Sequence, residues 1–202
     1  MTAIAGPDGK LRCPWGAGVD PLYREYHDHE WGRPVHGTNA LYERLCLEAF
    51  QSGLSWITIL RKRDAFRSAF ADFDPEKVAS FDDADVGRLM ADASIVRNRA
   101  KIVAAVGNAR VVLDLDGTDL DTLLWSFAPE PRAKRLDDVS DVPAVTPEST
   151  AMAKELKRRG LRFFGPTTAY ALMQATGMVD DHLSGCLVKP LNTDSSSRYG
   201  PR

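Results

Sequence analysis

The chain has 202 residues, 44% of them hydrophobic and 27% charged, with 26 Lys and Arg against 28 Asp and Glu for a formal net charge of -2. That length suits one large domain or two small lobes with a real core, and the near-neutral charge leaves nucleic-acid binding to a local basic face rather than to the total. No apolar run approaches the ~18 residues needed to span a membrane. Residues 1–11 lack the apolar core of a signal peptide, so a cytoplasmic protein without a membrane partner is expected. Three cysteines, Cys13, Cys46 and Cys186, are too few and too scattered for a disulfide framework.

After Cys13-Pro14-Trp15-Gly16 comes Asp20-Pro21, where Asp as N-cap and Pro at the first helical position predict a helix. Along it Tyr23, Tyr26, His27 and Glu30 recur at i, i+3, i+4 and i+7, so one face carries two phenols, an imidazole and an acid. That face is either core packing or a pocket wall. The next helix carries Leu47-Glu48-Ala49-Phe50. At about 100° per residue Glu48 shares a face with Leu41, Leu45 and Ser52, and a carboxylate is costly to bury without a partner. Gly53 reads as the residue after the helix and Ser55 as the cap of the following one, which sets Trp56 at a chain reversal. Acid and indole there either pack conventionally, with Glu48 in a salt bridge, or line a pocket.

Beyond Arg61-Lys62-Arg63, Asp74-Pro75 and Asp82 start further short helices, and a turn at Ser94-Ile95 leads to a long helix from Asn98. Arg97, Arg99 and Lys101 at its start form a solvated face or meet phosphate. Residues 114–147 are the least regular and read as a connector between lobes, with one short helix through Leu123, Trp125 and Phe127. Thr146-Pro147-Glu148 starts a helix that Gly160 ends, with Lys157, Arg158 and Arg159 in its last turn. A short link, Leu161 to Pro166, precedes a helix from Thr167 to Thr176, giving a helix-hairpin-helix. The expectation is seven to nine helices and no sheet, in a single domain of two helical lobes over residues 1–190, followed by a loose polar tail over 191–202.

His182 and Cys186 stand four apart, on one side of a helical turn, and Cys13 and His27 could complete a Cys2His2 tetrahedron with no open position. The alternative is a surface histidine and small buried thiols. A metal there requires the two ends of the chain to meet, and leaves Cys46 in the core.

Taken in order, Cys13-x-Trp15, Tyr26-His27-Asp28-x-Glu30-Trp31-Gly32, Leu47-Glu48-x-x-Gln51-x-Gly53-Leu54-Ser55-Trp56, Phe73-Asp74-Pro75, Ile95-x-Arg97-x-Arg99-x-Lys101-Ile102, Trp125-Ser126-Phe127, Met173-Gln174-Ala175, Asp181-His182 and Gly185-Cys186 resemble the 3-methyladenine DNA glycosylase I family over residues 13–188. The resemblance implies an all-α, helix-hairpin-helix glycosylase fold. It also implies one structural zinc ion (Zn2+) on Cys13, His27, His182 and Cys186, joining the N- and C-terminal segments. The base pocket would be formed by Glu48, Trp56 and Tyr26, with Trp15, Tyr23 and Trp31 as further lining and Glu48, ionised, as the acceptor that reads the base.

The implied activity is release of 3-methyladenine from alkylated double-stranded DNA by a monomer, with DNA held at Gly165, Thr167, Arg158 and Arg159. Thr167 stands where lyase members of the superfamily carry a lysine, which implies no strand cleavage. Asp180 stands where this branch commonly has Asn: it either restores a carboxylate that supports a cationic sugar, or it caps the last helix or supports the zinc shell. Ser94 replaces a usual Gly at a tight turn. Two other readings are a catalytically silent zinc-stapled module that binds DNA or protein, and a zinc hydrolase, which the closed four-ligand shell opposes.

Overall fold

In the computed structural model, which describes residues 1–190, the helix starts fall where local chemistry places them. The Asp20 carboxylate accepts the N–H groups of Leu22 and Tyr23 and opens α1 (Pro21–His29). The helix α2 (Thr38–Gln51) ends at Ser52 and Gly53, the latter at φ +83°, a conformation glycine adopts without strain. Ser55 caps α3 (Trp56–Arg61), its hydroxyl bonded to that of Thr58 at 2.8 Å. Then follow α4 (Arg63–Ala69), α5 (Pro75–Ala79) behind the Asp74 cap, and α6 (Asp83–Ala91) behind a capping box of Asp82 and Asp85. The long helix α7 (Arg99–Leu113) starts at Asn98, and α8 (Leu120–Trp125) starts at Asp119. A Thr146–Ser149 capping box opens α9 (Pro147–Arg158), and α10 (Pro166–Ala175) begins after Gly165.

The helical expectation holds, with two corrections. The described residues contain ten α-helices rather than seven to nine, because the stretch after Trp56 breaks into α3 and α4 at Lys62. There is also a small antiparallel hairpin, β1 (Ile4–Ala5) on β2 (Leu11–Arg12), turning at Gly9 with φ +75°. Two residue pairs carry no readable alternation; the hairpin rests instead on Arg12, which reaches Asp8 at 2.7 Å. Ser94 needs no glycine geometry, since it is not among the positive-φ residues, and its N–H and hydroxyl both donate to Asp92 at 2.8 and 2.5 Å. The polar tail expected over 191–202 lies outside the described residues.

The helix α2 is central. Leu41, Tyr42, Leu45, Cys46, Leu47 and Phe50 are almost fully buried, and α2 packs against α10, α3, α7 and α8. Phe50, Phe66, Phe70 and Phe73 stack into one wall of this core, which runs from Leu41 to Val179. A second, smaller cluster of Cys13, Leu183, Cys186 and Val188 ties the N-terminal segment to the C-terminal one. Among the described residues, no helix is long and apolar enough to cross a membrane.

Candidate active site and metal centre

The turn between α2 and α3, the face of α1 and the segment after α10 meet around a cavity of about 280 Å³, near the lower end of small-molecule clefts. Its lining gathers Trp15, Tyr23, Tyr26 and Trp31 from the N-terminal segment, Glu48 and Gln51 from α2, and Trp56 at the first position of α3. All six base-pocket residues expected from the sequence thus share one cavity. The rings form a continuous surface: Trp15 lies 5.0 Å from both Tyr23 and Trp31, and Tyr26 lies 5.3 Å from Trp56. The Trp56 indole N–H is buried with no hydrogen-bond partner among the described residues.

Glu48 is 4% exposed. Loss of water disfavours its charge, the Arg44 guanidinium one turn earlier only partly compensates, and the carboxyl is pushed up to about 8. Glu30, from the same α1 face, behaves oppositely. Burial works against its ionisation, but Arg63 and Arg44 donate to it at 2.5 and 2.9 Å and hold it at about 2. Arg44 also lies over the Tyr26 ring, 5.9 Å from its centroid. Glu30, Arg44 and Arg63 thus form an ion-pair network behind Tyr26.

Sequence reasoning missed part of the lining. Val139 and Val142 come from the irregular connector, and Gln174 of α10 and Asp181 complete the wall. Asp181 is the second cavity carboxylate, its side chain held by Arg132, by the Tyr170 hydroxyl at 2.7 Å and by the Gln174 amide at 2.8 Å. The sequence signal was present, because both positions fall inside quoted motifs, but nothing local says which of two adjacent aspartates turns inward. Asp180 is not among the lining residues. Its carboxylate accepts from Arg135 at 2.9 Å and from the His182 N–H at 3.1 Å, bracing the segment that carries His182 and Cys186.

Lys101 likewise departs from the basic cluster expected at the start of α7. Arg97 and Arg99 are exposed, whereas Lys101 is buried and its ammonium donates to the Phe50 and Ser52 carbonyls at 2.9 and 2.6 Å.

Below the cavity Cys13, His27, His182 and Cys186 bring their four ligand atoms within 4.8 Å of one another, all buried, a group that could hold a metal ion. The supporting contacts fix both imidazoles. His27 turns Nε2 to Cys186 and Nδ1 to Asp28 at 2.8 Å, and His182 turns Nδ1 to both sulfurs and Nε2 to the Trp31 carbonyl at 3.0 Å. Asp28 is itself held by the buried Arg12. Outer partners of this kind orient metal-binding histidines. Gly16 is required here, because a Cβ at that position would stand 2.4 Å from the His27 ring.

The helix pair α9–α10 is joined across residues 159–165. Gly160 takes φ +98° and Phe163 φ +64°, and the Asn108 amide clamps the Arg162 backbone from both sides. Thr167 is exposed in the first turn of α10, with Gly165 as its cap. Arg158 and Arg159 both pair with Glu155, at 2.6 and 2.7 Å.

Comparison with known proteins identifies the family. The methyladenine glycosylase family model matches residues 15–189. DNA-3-methyladenine glycosylase 1 of Escherichia coli (strain K12) is 46% identical over 184 residues, 90% of this chain and 98% of that protein. A crystal structure of a 3-methyladenine DNA glycosylase I superposes with a TM-score of 0.84 at 43% identity, covering 89% of this chain and all of that one. The Staphylococcus aureus enzyme, whose structure describes 3-methyladenine recognition, gives a TM-score of 0.81 at 39% identity over 86% of this chain and 94% of that one. With a matching family model over most of its length, relatives of this identity and the same helical architecture, the chain belongs to the methyladenine glycosylase family.

Proposed function

We propose that this protein is a monofunctional base-excision repair glycosylase that takes a 3-methyladenine nucleotide out of alkylated duplex DNA and hydrolyses its glycosidic bond. The observation that carries the reading is a buried carboxyl, Glu48, turned into a cavity of stacked aromatic rings. The activity in its relatives' names is the one this chemistry serves.

Methylation at N3 leaves the purine positively charged and its C1′–N9 bond weak. When that bond breaks, its electron pair neutralises the base, so the leaving group needs no proton from a general acid. Water then adds at C1′ and loses a proton. The protein's tasks are to unstack the nucleotide, hold the damaged base and reject the others. Trp56, Tyr26, Trp15, Tyr23 and Trp31 offer π-faces to a flat cation, each worth ~0.5–2 kcal/mol.

Glu48 was expected to act ionised; burial instead keeps its proton up to about pH 8. A protonated carboxyl is one donor and one acceptor. It matches the N7 acceptor and N6–H donor of adenine, and sets acceptor against acceptor at O6 of guanine.

The pair α9–α10 suits the helix-hairpin-helix role. The first-turn N–H groups of α10, at Thr167 behind Gly165, have no intrahelical acceptor and point at a phosphate. Because Glu155 occupies Arg158 and Arg159, backbone N–H groups carry more of that contact than the guanidiniums do. Such contacts position without reading sequence. With Thr167 in place of an amine, no Schiff base forms and no strand is cut. The protein acts as a cytoplasmic monomer.

The metal is zinc. Tetrahedral Zn–S and Zn–N bonds separate sulfur and nitrogen ligands by about 3.6 Å, and three of the four S···N pairs here stand at 3.6, 3.6 and 3.8 Å, with all four ligand atoms within 4.8 Å of one another. Two thiols and two oriented imidazoles would give the ion a closed structural shell, and its role would be to join the chain ends. Cys186 is already drawn toward the thiolate by the Cys13 S–H, with His182 and His27 assisting.

The test is release of free 3-methyladenine from methylated duplex DNA by folded, metal-loaded protein; absence of release sinks the reading. In the same assay Asp180→Asn is expected to keep wild-type turnover, since Arg135 and the His182 N–H already hold that carboxylate. A large loss of turnover at unchanged melting temperature would return Asp180 to the chemistry.

A further inference from the structure

Gln174 is a cavity residue whose amide orientation is constrained by its neighbours. Its amide nitrogen donates to Asp181 Oδ2 at 2.8 Å, and the same oxygen accepts the Tyr170 hydroxyl at 2.7 Å. Arg132 occupies the other oxygen. The Asp181 side chain has no exposed surface, so its acceptors are committed within the protein. An amide has one donor end and one acceptor end. A carboxylate that takes the donor end leaves Oε1 to face elsewhere, and that atom has no hydrogen-bond partner among the described residues. The Gln174 backbone is fixed as well, its carbonyl accepting the Gly32 N–H at 3.1 Å. Gln174 therefore reaches the cavity as an acceptor that cannot turn over without setting its own oxygen against Asp181.

We propose that Gln174 is a specificity-determining residue that accepts a hydrogen bond from the exocyclic amine of the base, with Asp181 as the positioning residue that holds its amide in register. The inference rests on the glycosylase reading of the cavity and extends it. An adenine amine has two hydrogens. Glu48, from α2, can take only one of them; Gln174, from α10, supplies the acceptor for the other. A base with a carbonyl at that position would meet acceptors from both helices. Two weak discriminations thereby multiply, and selection against a 6-oxo purine does not depend on Glu48 alone.

The experiment measures binding of free 3-methyladenine and of free 3-methylguanine by tryptophan fluorescence, for wild type, Gln174→Met and Asp181→Asn. Methionine keeps the length and removes the acceptor. Gln174→Met is expected to bind 3-methyladenine about tenfold more weakly, the scale of one lost hydrogen bond with its donor left unpaired, and 3-methylguanine no more weakly than wild type does. Asp181→Asn offers the amide a donor as well as an acceptor, so Gln174 is free to turn. The adenine-to-guanine ratio should fall there too, with Gln174 still in place.

A purely structural role would weaken both bases together and leave the ratio unchanged, and an unchanged ratio in these variants overturns the proposal. Should Gln174→Met unfold, the ratio in Asp181→Asn decides alone. Wild-type protein that binds neither base and releases none from methylated DNA would instead sink the glycosylase reading, and this inference with it.

Discussion

Glu48 lies on α2 between Leu47 and Ala49, and its burial has a consequence for stability that runs against its use in the site. The folded protein holds the proton up to about pH 8, whereas an exposed glutamate releases it near 4.5. Between those values the folded state binds more protons than the unfolded one, so this residue's contribution to stability falls as pH rises from about 4.5 to about 8 and is level above. Glu48→Gln removes the titration. Its melting temperature is expected to match wild type most closely near pH 4.5 and to exceed it increasingly toward pH 8. A gap that does not change with pH would show that Glu48 ionises freely. Free 3-methyladenine should also bind wild type less well above pH 8, while the glutamine variant, which keeps one donor and one acceptor, shows no such fall. The position of Glu48 was legible in the sequence from its place in an apolar face before a Gly-x-Ser break. Its protonation was not, because that depends on what α1, α3 and Arg44 do around it.

At the scale of elements, the α2–α3 turn sets Gln51 and Trp56 against the cavity, and Lys101 secures it from α7. A helix C-terminus leaves its last carbonyls without partners and carries partial negative charge. The Lys101 ammonium donates to two carbonyls there, at Phe50 and Ser52. Lys101→Met keeps the stem and removes the donors. The expected loss is about 1–3 kcal/mol in denaturant unfolding, with KM for methylated DNA raised more than kcat is lowered, because the turn loosens while Glu48 stays inside α2. Unchanged stability and KM would show that the turn does not depend on the Lys101 ammonium.

The basic cluster expected from the sequence grouped Arg97, Arg99 and Lys101 by adjacency. Helix periodicity separates them, since positions 99 and 101 lie about 200° apart around α7 and cannot share a face. The starts at Asp20-Pro21, Asp74-Pro75 and Thr146-Pro147 were legible because the cap and the proline act within one turn. The hairpin of residues 4–12 was not, because it depends on ion pairs from Arg12 to Asp8 and, across sixteen positions, to Asp28.

Across the whole molecule, the main core and the cavity wall are held by different means. The core begins at Leu41 and is closed by α2, α7, α9 and α10, whereas Trp15, Tyr23, Tyr26 and Trp31 belong to a segment joined to the C-terminal one at Cys13, His27, His182 and Cys186. A metal at that junction closes a loop of nearly the whole chain. By the loop-closure scale such a link is worth about 4–5 kcal/mol, or about 10–20 °C of melting temperature in a domain of this size.

Chelation should therefore lower the melting temperature by that order while far-UV circular dichroism at 25 °C keeps most of its helical signal. Tryptophan fluorescence should change at the same time, because three of the four tryptophans line the cavity. Binding of 3-methyladenine should fall together with the fluorescence change, and zinc should restore both. A reactive metal behaves differently: its removal would stop base release while melting temperature and fluorescence stayed as they were, an outcome that would replace the staple with a metal hydrolase. The closed set of two sulfurs and two imidazoles, each ring already held by Asp28 or by the Trp31 carbonyl, leaves no position for a water, so melting temperature, cavity-wall fluorescence and binding are expected to fall together.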